Sequence, residues 1–286
     1  MGLAFTSPWV VGLLVFTLYP VLASFYYSLC DYSVLTKPVF VGTANYADLF
    51  TDEVYWKSVY NTFFYGLFAL PLGTAAAIVL ALLLNTGIRG LSLYRTIFFI
   101  PSIVPMIPMA ILWMWIFNAQ YGVLNYLISL TGLHGPEWLQ NPLWTKPAFV
   151  LMSVWTVGNA VVIYLAALQD VPESYYEAAE IDGAKWYHKI WHITLPLISP
   201  VIFFNAIMGL IGVLQIFAIP YVMTSPNPGS PARSALFYTM YLYDNAFRYL
   251  RMGYACAMAV VMFFVILGLT YLFMRVSRKH VHYMGQ

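Results

Sequence analysis

Residues 170–196 read DVPESYYEAAEIDGAKWYHKIWHITLP. Asp170, Glu173, Glu177, Glu180, Asp182, Lys185 and Lys189 bring both charge signs into an otherwise apolar chain. The segment also carries helix punctuation. Ser174-Tyr175-Tyr176-Glu177 has the spacing of a capping box, in which the serine and glutamate side chains each satisfy a free backbone N–H. That spacing predicts a helix over about 174–181. Gly183 then supplies a residue that tolerates the positive φ on which helices end. A second amphipathic stretch, Ala184 to Trp191, leads into Leu195-Pro196. The sum is a helix–turn–helix on a surface, joining two hydrophobic runs.

The rest of the chain explains why such an elbow stands out. Of 286 residues, 62% are hydrophobic and only 8% charged. A soluble domain is about 45–50% apolar and about 25% charged, so a soluble enzyme, a disordered chain and a disulfide scaffold are excluded. A net charge of +2 gives no basis for nucleic-acid binding. Charge-free runs cover 1–30, 58–88, 96–136, 147–169, 190–232 and 252–274. A helix crosses the hydrocarbon core with about 20 residues, so these runs predict an all-α membrane protein. Its six transmembrane helices fall near 8–30, 59–84, 96–117, 148–168, 198–222 and 253–275 within a single domain, 1–286. The second half of the third run turns polar at Asn118, Gln120 and Asn125 and reads as a short surface helix. The fifth run closes in a proline-rich loop at 225–231. No Lys or Arg precedes the first run, so it reads as a spanning helix rather than a signal peptide.

Lys and Arg set the orientation. With both termini cytoplasmic, the inner segments hold Arg89, Arg95, Lys185, Lys189, Arg275, Arg278 and Lys279. These segments are shorter than the outer ones, and the cluster 275–279 directly follows the last span. Cys30 and Cys256 read as separate small apolar side chains. His188 and His192 are four apart but lack a third ligand nearby, and His280 and His282 lie in the tail, so no metal site is expected. Nor does the chain contain a G-x-x-x-x-G-K-[ST] phosphate loop.

The elbow resembles the EAA signature of ABC importer permeases, in both residues and spacing: Glu177-Ala178-Ala179, three residues, Gly183, nine residues, Ile193, one residue, Leu195-Pro196. Asp182 belongs to the same likeness, which also extends along most of the chain. Phe40-Val41-Gly42, Tyr94-Arg95 with Phe98 through Pro101, Tyr121 through Asn125, and Gly253-Tyr254-Ala255 are similar to the carbohydrate-uptake branch, that of the maltose, lactose and glycerol-phosphate systems. The resemblance implies a type I importer fold with cytoplasmic coupling helices in the loop 170–196. It implies a second homologous permease, two ATPase subunits seated on the EAA loops, a periplasmic or lipid-anchored substrate-binding protein, and a carbohydrate substrate. The site is then a bacterial or archaeal cytoplasmic membrane. This chain itself would be non-catalytic and free of cofactors, with ATP and Mg held by the ATPase. Glu177 would pair with the ATPase and Gly183 would form the turn. The alternative cargo is glycerol phosphate or another non-sugar polar solute.

Polar groups within a bilayer are expensive and tend to face the bundle interior or a cavity. Candidates for the pathway are Asn61, Thr62, Thr74, Asn159, Asn205 and Gln215, with Trp155 and Gly158 beside Asn159 in span four. Interhelical hydrogen bonding is the competing role for each amide. Trp155 or Tyr164 would offer a ring face to a sugar. No charged residue falls within a span core, which favours a neutral, hydroxyl-rich solute and argues against proton coupling. Pro101, Pro105 and Pro108 in span three mark either a packing kink or a gate hinge.

Overall fold

A computed structural model describes residues 2–86, 90–225, 227 and 229–277. Arg89, Arg278, Lys279, His280 and His282, named above for orientation or as tail residues, lie outside the described residues, as does part of the loop 225–231.

The chain opens with α1 (Phe5–Tyr27), an apolar helix with one π turn at Leu14–Leu18. It ends short of the expected residue 30, because Cys30 leaves the helix for a two-residue strand. That strand, β1 (Cys30–Asp31), pairs antiparallel with β2 (Val39–Phe40), Cys30 opposite Phe40. A short helix α2 (Ala44–Thr51) follows. The central helix α3 (Glu53–Leu84) starts earlier than expected, because the Asp52 carboxylate caps it by accepting from the Val54 N–H at 2.8 Å.

The third span is not one straight helix. It consists of α4 (Leu91–Ile103) and α5 (Met106–Ile116), bent by 102°. Proline forces the break: Pro105 has no N–H to donate, and the residue before it, Val104, is driven to an extended ψ of 126°. After α5 comes the expected surface helix, α6 (Val123–Ser129). The fourth span is α7 (Pro142–Trp155) and α8 (Gly158–Gln169), bent by 43° without any proline at the bend. There the hydroxyls of Ser153 and Thr156 donate to the carbonyls of Val150 and Ser153, at 2.7 and 3.0 Å, loosening the ladder locally.

After the elbow the fifth span, Ser199–Met223, comprises α12 (Ser199–Leu214) and α13 (Ala218–Met223) with an interruption at Gln215. The elbow contributes α9 (Glu173–Ile181), α10 (Trp186–Lys189) and α11 (Leu195–Leu197) between them. A short helix α14 (Tyr238–Tyr243) precedes the last span, α15 (Met252–Ser277). Among the described residues, four helices are long and apolar enough to cross a membrane alone, and up to six spans result if each bent pair counts as one. Cys30 and Cys256 are separate, buried thiols.

Helix α3 is the mast around which the others pack, touching α7, α8, α12 and α14. Gly73, Ala77 and Ala81 recur every four residues along it, and Ala77 and Ala81 are fully buried. Small residues at this spacing let helices approach closely in a bilayer, where tight contact rather than water exclusion drives association. Two cores result. Phe149, Phe237, Met240 and Met258 belong to one in the half away from the elbow. Tyr164, Leu168, Ile198 and the two alanines belong to the other, in the half nearest it.

Candidate coupling elbow and transmembrane cleft

The elbow is built almost as its residues dictate, with one correction. The capping box does not form: Pro172 is the N-cap, no side chain caps the helix, and Ser174 stands inside the first turn. Proline fixes its own φ near −62° and presents ψ 133°, so the helix starts one residue early with Glu173 at its positive end. At the other end a Schellman turn closes α9. Gly183 stands at φ 74°, its N–H donates to the Glu180 carbonyl at 3.0 Å, and the Ala184 N–H donates to the Ala179 carbonyl at 2.8 Å. A β-carbon on Gly183 would meet nothing within 4 Å, so backbone conformation alone selects glycine there.

The signature residues divide by exposure. Glu177, Ala178, Asp182 and Gly183 are exposed, whereas Ala179, Ile193, Leu195 and Pro196 are half-buried against the body. Ile181, at the tip of α9, is 88% exposed, an apolar knob presented to the outside. Two braces hold α9 to the helix that enters the fifth span. The hydroxyls of Tyr176 and Thr194 lie 2.9 Å apart, Thr194 itself being buried, and the Lys189 ammonium pairs with the Glu180 carboxylate. Sequence reasoning listed the charges of this pair without their pairing and missed Tyr176 and Thr194 as partners. The His188 carbonyl lies 3.1 Å from His192 Nδ1, and no cluster of metal-ligating groups occurs among the described residues.

In the middle of the bundle α3, the bend between α7 and α8, and α12 enclose a cleft of about 310 Å³. Thr74, Thr156, Asn159 and Asn205 line it together. Asn159 is exposed there and has no hydrogen-bond partner among the described residues, while Asn205 Nδ2 donates to the Val201 carbonyl of its own helix at 3.1 Å. An exposed carboxamide at mid-span is ill suited to lipid and faces water or another chain. The other candidates lie elsewhere. Gly158 is a packing point: a β-carbon there would sit 2.8 Å from the Phe98 carbonyl oxygen and 2.9 Å from Ser102 Oγ of α4. Trp155 stands edge-on to Trp113, ring centroids 5.7 Å apart, and Gln215 marks the exposed interruption after α12. Tyr164 does stand in the wall of the cleft, but at 1% exposure its ring is packed rather than open. Asn61 and Thr62 are staples to the loop before α14 and to the first residue of that helix. Asn61 Nδ2 donates to the carbonyls of Arg233 and Leu236 at 2.8 and 2.9 Å, and Thr62 Oγ1 accepts from the Tyr238 N–H at 2.8 Å.

At the end away from the elbow, Asp52 ties three elements. It accepts from the hydroxyls of Tyr241 and Tyr254 at 2.5 and 2.6 Å. Burial works to raise its carboxyl, but these bonds and the backbone N–H groups of Val54 and Tyr55 outweigh burial and hold it below its ordinary 3.8.

Residues 59–283, from the second span to the tail with the elbow at their centre, match the model of the binding-protein-dependent transport system inner membrane component. The chain belongs to this family of ABC importer permeases. The permease is 40% identical to the probable ABC transporter permease protein YesP of Bacillus subtilis, over 99% of this chain and 92% of that one. It is 33% identical to the lactose transport system permease protein LacF of Rhizobium radiobacter, over 97% and 94% of the two chains. Its fold matches a chain of the bacterial alginate ABC transporter solved with an alginate pentasaccharide-bound periplasmic protein. The TM-score is 0.86 at 24% identity, covering 96% of this chain and 93% of that one. The type I importer permease fold and membrane location expected from the sequence are therefore those of the protein, a transport component.

Proposed function

We propose that the permease is the membrane-spanning subunit of an ATP-driven importer of a sugar or oligosaccharide. It lines the pathway together with a second, homologous permease, and a periplasmic or lipid-anchored binding protein delivers the cargo. Two ATPase subunits hold ATP and Mg, one of them receiving the elbow. The lactose permease relative and the alginate transporter of like fold support the cargo class.

The observation that carries the coupling role is the braced, exposed elbow. Ile181 and Glu177 point away from the body. Tyr176–Thr194 and Glu180–Lys189 join the same short helix to the start of the fifth span. A rigid-body shift received at the tip passes along packed elements into α12, one wall of the cleft. With the elbow cytoplasmic, both termini are cytoplasmic and the Asp52 end faces outward. In the cleft, Thr74, Asn159 and Asn205 offer hydroxyl and carboxamide groups and no cation, which suits a neutral polyol better than a phosphate ester.

The test is ATP hydrolysis by the complete complex in proteoliposomes, measured across sugars and phosphate esters. Stimulation by a sugar is expected. Stimulation by glycerol 3-phosphate alone would promote the other cargo class, and a complex in which no ATPase touches the elbow would overturn the coupling role.

A further inference from the structure

We propose that the outer mouth of the permease carries a second saccharide subsite, separate from the mid-membrane cleft. The proposal rests on the carbohydrate reading above. A cleft of about 300 Å³ lies beyond the end of α5, bounded by the chain around 118, by 137–140 and by residues 223–225, 227 and 230. That volume is at the small end of the roughly 300–1,000 Å³ usual for small-molecule sites. Its walls combine the ring of Trp138, backed by the buried Phe117, with the polar side chains of Asn118, Glu137 and Gln140.

The aromatic wall is fixed in advance. Trp138 Nε1 donates to Asn125 Oδ1 at 2.7 Å. Asn125 Nδ2 in turn donates to the carbonyls of Ala119 and Pro136, at 3.0 and 3.1 Å, so one buried carboxamide staples both flanking loops and orients the indole. Gly135 closes on this staple so tightly that a β-carbon would lie 2.1 Å from Asn125 Oδ1. The ring centroids of Trp138 and Phe117 are 5.6 Å apart. A ring held this way loses little freedom when a ligand stacks on it, which is how a preformed site gains affinity.

The polar groups have capacity left. Asn118 Oδ1 accepts from the Gln120 and Tyr121 N–H groups at 2.9 and 3.1 Å, which turns its NH₂ to other partners. Glu137 and Gln140 make no side-chain hydrogen bond or ion pair among the described residues. One carboxylate and two carboxamides beside the Trp138 ring match vicinal hydroxyls above a C–H face, the chemistry of a sugar. Among the described residues no Lys or Arg lines the cleft, so the ligand is a neutral saccharide rather than a uronate or phosphate. Behind it the rings pack solidly, Phe117 on Trp113 at 4.9 Å and Trp113 on Trp155 at 5.7 Å, with Phe117 and Trp113 buried, so the wall has a rigid backing. Trp155 immediately precedes Thr156 on the mid-membrane cleft. With the elbow cytoplasmic, the mouth subsite stands at the outer end, where cargo leaving the binding protein first meets the permease.

The experiment is saturation-transfer-difference NMR on the full-length permease in nanodiscs, without binding protein. Trehalose and cellobiose serve as neutral probes and galacturonate as the anionic one. Transfer to the C–H protons of a neutral probe is expected. Trp138→Ala should weaken apparent affinity by about 5- to 10-fold, the loss of one aromatic stacking contact. The double variant Glu137→Gln/Gln140→Leu, on exposed positions, should weaken it without touching the staple. Trp9→Ala, on the exposed face of α1, should leave it unchanged. Absence of transfer from both neutral probes, a preference for galacturonate, or transfer indifferent to both mouth variants would overturn the proposal. So would loss of binding-protein docking in Trp138→Ala with no saccharide signal in the parent, which would make the mouth a protein contact. If sugar-stimulated ATP hydrolysis persists while the NMR signal is absent, only the mouth subsite falls. If no sugar stimulates hydrolysis, the cargo class itself is wrong.

Discussion

Gly183 isolates the elbow's conformation from its contacts. Its φ of 74° lies in the left-handed region, and a β-carbon there would meet nothing within 4 Å. Substitution therefore changes only the backbone preference. An alanine forced into that region costs about 1 kcal/mol and valine more, because its branched side chain is the least tolerant, whereas asparagine costs less than either. Since about 1.4 kcal/mol is a factor of ten in an equilibrium, Gly183→Ala should lower the closed-to-open ratio of the Schellman turn by about fivefold. Gly183→Val should lower it by more than tenfold, and Gly183→Asn should lower it little. The assay is the reconstituted complex, with ATP hydrolysed and solute imported measured on the same vesicles and membrane insertion checked separately. The expected order of import per ATP is Gly, Asn, Ala, Val, with insertion unchanged. Wild-type import by Gly183→Val would refute the argument that this turn transmits force. A series in which Asn is as damaging as Val would show that side-chain volume, not φ, governs the position.

Glu177→Lys reverses an exposed charge at the presented face, and hydrolysis should continue while import falls at least tenfold, read by the same paired assay. Charge reversal at the second brace, Glu180→Lys, should lower import and be partly rescued by Lys189→Glu in the same chain; no rescue would mean that the pair is incidental. Gly158→Val places side-chain atoms against the Phe98 carbonyl, 2.8 Å from where a β-carbon would stand. Overpacking of that kind costs about 1–3 kcal/mol and should lower the thermal midpoint of the detergent-purified protein. Asp52 is held below its ordinary 3.8, so its contribution to stability is complete above that value and is lost as pH falls through the lowered one. Thermal midpoints measured from pH 7 to pH 3 should therefore fall on the acid limb in the parent, and fall less in Asp52→Asn.

The elbow was the most legible part of the molecule because its information is local. Glycine at 183 and the alanines before it act within one turn, and the turn formed where the spacing placed it. The capping box failed for a reason equally local: Pro172 is a sufficient N-terminus, so Ser174 was never needed as a cap. The cleft was half legible. Asn159 and Asn205 came together with Thr74, but Gly158 proved to be a seat for α4, and Asn61 and Thr62 are bonded to the loop before α14 and to the first residue of α14. A polar residue in an apolar run announces that it has a use without saying whether the use is a pathway or a staple. Two partners of Asn61, Arg233 and Leu236, are more than 170 positions away.

By itself the sequence determined the membrane setting, the elbow and its turn, because hydropathy over about twenty residues and glycine's freedom at φ > 0 are properties of short segments. Only the tertiary structure decided the 102° break at Pro105 as against a gentle kink, the braces from Tyr176 and Glu180, and the staple that fixes Trp138. Those depend on which atoms meet across helices, and in a bilayer that is settled by close packing and shared hydrogen bonds between distant residues rather than by any pattern along the chain.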